Sequence, residues 1–97
     1  MSTIEVHCAT TEDGWRCVAR VDDGRTAGRH VVTVSIDDAD RLTAAHDAWG
    51  VERLVDETFR FLLEREPQAS ILTSFALPVV GRYFPDYEAE IAHRLAP

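Results

Sequence analysis

On either side of Glu12-Asp13-Gly14 the chain alternates apolar and polar residues with a period of two. Ile4, Val6 and Cys8 alternate with Glu5, His7 and Ala9, and Trp15, Cys17, Ala19 and Val21 alternate with Arg16, Val18, Arg20 and Asp22. Asp-Gly between two such runs is a strong hairpin signal, because glycine accepts the backbone angles a tight turn needs. Any register that pairs even with odd positions gathers Ile4, Val6 and Cys8 with Trp15, Cys17 and Ala19 on one face. The two-glycine stretch Asp22 to Arg29 then leads to a third run, His30 to Ile36, with Val32, Val34 and Ile36 on one side. Three antiparallel strands with one apolar face are not stable alone and require a helical cover.

The remainder of the chain supplies that cover. Asp37 or Asp38 is placed to cap a short helix through Arg41, Leu42, Ala45 and His46, ending near Trp49-Gly50. Val51 to Arg65 carries the clearest helical period: Val51, Leu54, Val55, Phe59 and Leu62 share a face, with Phe61 and Leu63 at its margins. A stripe that wide contacts more than one neighbour, and Pro67 stops the helix. Ser70 is expected to cap a helical turn or two through Ile71, Leu72 and Phe75. Pro78 and Pro85 stand at first-turn positions for two further helices, the last with Tyr87, Ile91 and Leu95 as its stripe. The expected fold class is α+β: a three-stranded antiparallel sheet over residues 3–36, then three to four helices packed on one face, forming one domain over 1–97.

Charge narrows the partners. The 97 residues hold 17 acids and ten basic residues, all ten of them Arg, for a net charge of −7. Residues 1–50 carry nine acids and five Arg, and residues 51–97 carry eight and five, so neither half is a basic pole. Nucleic acids and anionic membranes are therefore disfavoured, and a basic protein or peptide partner, or none, suits the charge better. Met1 to Glu5 has neither the basic nor the apolar region of a secretory signal, and no apolar run approaches the ~18 residues of a membrane span. The expected location is the cytoplasm, where Cys8 and Cys17 would be reduced.

Few residues combine into a recognisable chemistry. Cys8, Cys17 and His30 project from one sheet face by parity, and two thiolates with an imidazole are a zinc donor set. The spacing lacks C-x-x-C and a fourth ligand, so plain core residues are the simpler reading. Asp37, Asp38, Asp40 and Asp47 form an acidic stretch without the spacing of a calcium loop, and its plainer role is at helix N-termini. G-x-S-x-G, the phosphate-binding loop, H-E-x-x-H and G-x-G-x-x-G are all absent from the sequence. His7, His46 and His93 fall on expected solvent faces or helix ends. Residues 70–84 fit a helix-turn-helix in outline, but only Arg82 and Tyr83 are suited to reading DNA, and Asp86, Glu88 and Glu90 follow. The same stretch, Phe75 to Phe84, is unusually apolar, and its aromatic residues with Arg82 match the composition of interface centres. Phe75, Leu77, Pro78, Val79, Arg82, Tyr83 and Phe84 are the candidate interface.

Phe61-Leu62-Leu63-Glu64-Arg65-Glu66-Pro67, Ser70-Ile71-Leu72, Phe75, Leu77 and Arg82-Tyr83-Phe84-Pro85-Asp86-Tyr87-Glu88 together resemble a group of short hypothetical proteins from GC-rich, actinobacterial-type bacteria. The similarity covers roughly residues 51–91, with a fainter echo in His30 to Val34. It implies a small intracellular bacterial domain that stands alone, and no activity, cofactor or ligand. The resulting expectation is a non-enzymatic interaction or accessory module that self-associates as a homodimer or binds a protein partner. No cofactor or small-molecule substrate is expected. The alternatives are an acidic helix-turn-helix regulator and a Cys/His metal or redox site.

Overall fold

The computed structural model describes residues 2–43 and 47–96. Three nine-residue strands, β1 (Thr3–Thr11), β2 (Gly14–Asp22) and β3 (Ala27–Ser35), pair antiparallel in sequence order. The first hairpin closes over Glu12-Asp13, and Gly14 is demanded by close approach: a Cβ there would run into the Val34 carbonyl oxygen and Ser35 Cα of β3. In the second turn Gly24 adopts φ +91°, a left-handed conformation that side chains disfavour.

The register bears out the expected face. Cys8 lies opposite Cys17, which lies opposite Val32; Val6, Ala19 and His30 form the next row, and Trp15 faces Val34. Helices α1 (Ile36–Leu42), α2 (Ala48–Leu63), α3 (Val79–Tyr83) and α4 (Tyr87–Leu95) follow. The expected central helix is α2, whose Val51, Leu54, Val55, Phe59 and Leu62 are all buried against the sheet. From α4, Tyr87 and Ile91 enter the core, and Phe61 meets the Tyr87 and Phe84 rings edge-on at 5.4 and 5.8 Å. No helix among the described residues is long and apolar enough to cross a membrane.

Four expectations are corrected. The sheet is four-stranded and mixed, because Ser74–Ala76 forms β4, parallel to β3, where a helical turn is expected. The far edge of β3 has backbone groups to satisfy, and β4 serves them: Val31 N–H donates to the Thr73 carbonyl and Leu77 N–H to the Thr33 carbonyl. Only a 3-10 turn, Gln68–Ser70, remains of the helix expected there. Ile36 opens α1 rather than ending β3 and is half exposed, because Ser35 Oγ accepts the Asp38 N–H and starts the helix. Trp49-Gly50 lies in the first turn of α2 instead of ending its predecessor, since Asp47 caps α2 by accepting the Gly50 N–H at 2.8 Å. Ala45 and His46 lie outside the described residues.

Candidate functional site

Two arrangements built by the fold bear on function: a polar clamp behind β3 and an apolar groove beside it. The clamp begins at Gln68, the only glutamine in the chain. Its backbone N–H donates to Asp23 Oδ2 at 2.8 Å, its Oε1 accepts from Thr26 Oγ1 at 2.8 Å, and its Nε2 donates to His30 Nε2 at 3.0 Å. His30 Nδ1 in turn donates to the Leu72 carbonyl at 2.7 Å, so these partners select the tautomer with the proton on Nδ1. The ring is fully buried, 5.3 Å from that of Phe59. Asp23 also accepts the Thr26 and Arg25 N–H groups, and these three backbone donors hold its carboxyl down at about 2.

The candidate metal set does not assemble. Cys8 and Cys17 are joined in a disulfide, which corrects the expectation of two reduced core cysteines and removes both thiolates as ligands. His30, the third member, has both ring nitrogens committed to hydrogen bonds. Among the described residues no group of three His, Cys, Asp or Glu is disposed to hold a metal ion. The acidic stretch has ordinary partners: Asp38 pairs with Arg41 at 3.1 Å, and Asp47 caps α2. His7 and His93 are exposed. The helix-turn-helix outline over 70–84 is not formed, because β4 replaces its first helix.

The groove, of about 450 Å³, lies between the end of α2, the 71–75 segment and α3. Leu62, Ile71, Phe75 and Val80 form its buried floor, and Val79 and Phe84 are half-buried on its walls. Leu72 and Tyr83 stand at its mouth, 49% and 68% exposed. Among the described residues Glu66 is the one charged side chain on the lining, and burial pushes its carboxyl above its ordinary range. The frame beneath is held by arginines. Arg65 lies 3.6 Å over the Phe61 ring and reaches Asp86 at 2.9 Å, tying the end of α2 to the α3–α4 junction. Arg94 joins Glu90 at 3.0 Å and Glu64 at 2.6 Å, and holds the Glu64 carboxyl below its usual range.

The seven candidate interface residues divide. Phe75, Val79, Tyr83 and Phe84 line the groove. Pro78 is half-buried at the N-terminus of α3, and Arg82 is exposed nearby. Leu77 is corrected: it is wholly buried in the core, drawn in by the β4 pairing on its N–H. Leu72, Ile71 and Glu66 were not expected at an interface. No period in the sequence marks them, because Ile71 and Leu72 lie between the 3-10 turn and β4 and Glu66 just after α2. No family model, curated protein or solved structure matches the chain.

Proposed function

We propose that the chain is a non-enzymatic protein-interaction module and that a second copy of itself occupies the groove. One observation carries the reading: the patch holds both a hole and the side chains to fill one. Tyr83 and Leu72 are exposed apolar knobs at the mouth of an apolar groove, so two copies related by a two-fold axis present each knob to the other's hole. Exposed aromatic residues beside a recessed apolar floor are the composition of an interface centre. The absence of familiar catalytic motifs in the sequence is consistent with an accessory or regulatory role. A cytoplasmic setting, and kinship with short bacterial domains, belong to the same proposal.

Sedimentation equilibrium is the test. The wild-type chain is expected to form a dimer in the micromolar range, and Tyr83→Asp or Leu72→Arg to yield a folded monomer. A wild-type monomer at high micromolar concentration would overturn the reading. So would a dimer indifferent to both substitutions.

A further inference from the structure

The helices of the described residues lie on the inner face of the sheet, and no described element covers the outer face. Its centre is the cross-strand pair Val18 and Val31, both half-buried, with His7 on β1 and Ser74 on β4 in the same row. Arg16 stands at one end of that centre, and the directly opposed pair Arg20 and Arg29 at the other. These three exposed guanidiniums make no ion pair or hydrogen bond among the described residues, whereas Arg41, Arg60, Arg65 and Arg94 each bind a carboxylate. Arg53 on α2 and Arg82 on α3 are likewise unpaired among the described residues, but Arg16, Arg20 and Arg29 share one sheet face in a chain of net charge −7. Like charges directly across a sheet repel, so Arg20 and Arg29 favour an anion between them. A hollow of about 380 Å³ opens there, lined in part by both. Two acids share the lining, Glu5 directly across from Arg20 and Asp22 at the end of β2, but neither forms an ion pair with Arg20 or Arg29 among the described residues, and Asp22 accepts the Gly24 N–H at 2.9 Å.

We propose that this face docks an acidic amphipathic helix of a partner protein. A sheet face offers side chains and no free backbone groups, so its partner must satisfy its own backbone, as a helix does. The spacing fits. Arg16 and Arg20 are separated by roughly 13 Å along β2. Acids seven or eight residues apart on a helix are separated by about 10–12 Å, with apolar residues at i+3 and i+4 falling between them onto Val18 and Val31. Charge complementarity then sets the orientation. Single-stranded nucleic acid fits poorly, because stacking needs exposed rings and both aromatic residues of the sheet, Trp15 and Phe75, point inward. A second copy placed face to face would set arginine against arginine. This surface lies on the opposite side of the sheet from the groove, and the proposal does not rest on dimerisation.

The experiment titrates a synthetic peptide of roughly five helical turns, with Glu and Leu in that pattern, into the full-length ¹⁵N-labelled chain. Amide shifts are expected to concentrate on Arg16, Val18, Arg20, Arg29 and Val31. Arg20→Ser with Arg29→Ser is expected to weaken binding by about tenfold or more, and Tyr83→Asp to leave it unchanged. Both arginines are exposed, so circular dichroism should show the variant folded. A matched peptide carrying Lys in place of Glu, and a single-stranded oligonucleotide, are expected not to bind. The proposal is overturned by an absence of shifts at millimolar peptide or by shifts centred on Leu72 and Tyr83. Equal binding of the Lys peptide, or tighter binding of the oligonucleotide to the same arginines, would overturn it too.

Discussion

Asp23 shows how much of this fold hangs on single polar side chains. Its two carboxylate oxygens accept three backbone N–H groups, those of Thr26, Gln68 and Arg25, joining the β2–β3 turn to a segment 45 residues away. Such donors favour the ionised form, which is why the carboxyl titrates near 2 in the folded chain against an ordinary 3.8. A folded-state value below the unfolded one contributes stability that is complete above the unfolded pKa and is lost as pH falls through the folded value. Wild-type stability is therefore expected to decline between about pH 4 and pH 2. The gap between wild type and Asp23→Asn should narrow over the same interval. Parallel acid-denaturation curves for the two proteins would show that Asp23 is not the anchor. The neighbouring Gln68–His30 contact explains a third glycine: a Cβ at Gly28 would collide with the Gln68 amide.

At the scale of elements, the disulfide is the least expected feature and has a limited role. Cys8 and Cys17 are directly opposed in a hairpin already joined along nine residue pairs. The Cys8 N–H points away from β2, where Glu52 Oε2 of α2 accepts it at 2.9 Å and blunts the free edge of β1. A bridge spanning nine residues constrains the unfolded chain by about 2–3 kcal/mol on the chain-entropy estimate. Reduction is expected to lower the free energy of unfolding by that order, and with it the urea midpoint, while leaving the far-ultraviolet spectrum native. Loss of the β signal on reduction, or an unchanged midpoint, would refute this. The disulfide and the proposed cytoplasmic setting pull in opposite directions, and a free-thiol count on freshly isolated chain decides between them: two free thiols keep the setting, and a bridged pair points to an oxidising compartment. Parity in the sequence places the two cysteines on one face, but whether they pair depends on register and redox setting, which parity does not encode. The long strands and α2 are legible because their periods repeat over many residues. Strand β4 is not: three residues carry too little period, and its reason for existing is an edge more than 40 residues upstream. The groove is obscured by the same cause. The apolar count of 75–84 marks a surface, but only the β4 pairing decides that Leu77 turns inward and Leu72 outward.

Over the whole molecule, charge separates the two proposed contacts. Every copy carries −7, so bringing two together opposes like charge with like, while the contact proposed for the dimer is apolar packing at Leu72 and Tyr83. Screening by salt relieves the repulsion and leaves the packing intact. The proposed helix-docking face is expected to show the opposite dependence, because the attraction proposed there is that of Arg16, Arg20 and Arg29 for carboxylates across a solvated surface. Raising the ionic strength from about 0.05 M to 0.5 M shortens the Debye length from about 14 Å to 4 Å. Over that range dimerisation is expected to tighten several-fold and acidic-peptide binding to weaken several-fold. Sedimentation and peptide titration on the same preparation measure both. If both associations weakened together, the groove contact would be electrostatic after all. If both tightened, the three arginines would not be what holds the peptide, and the sheet face would be acting through Val18 and Val31 alone.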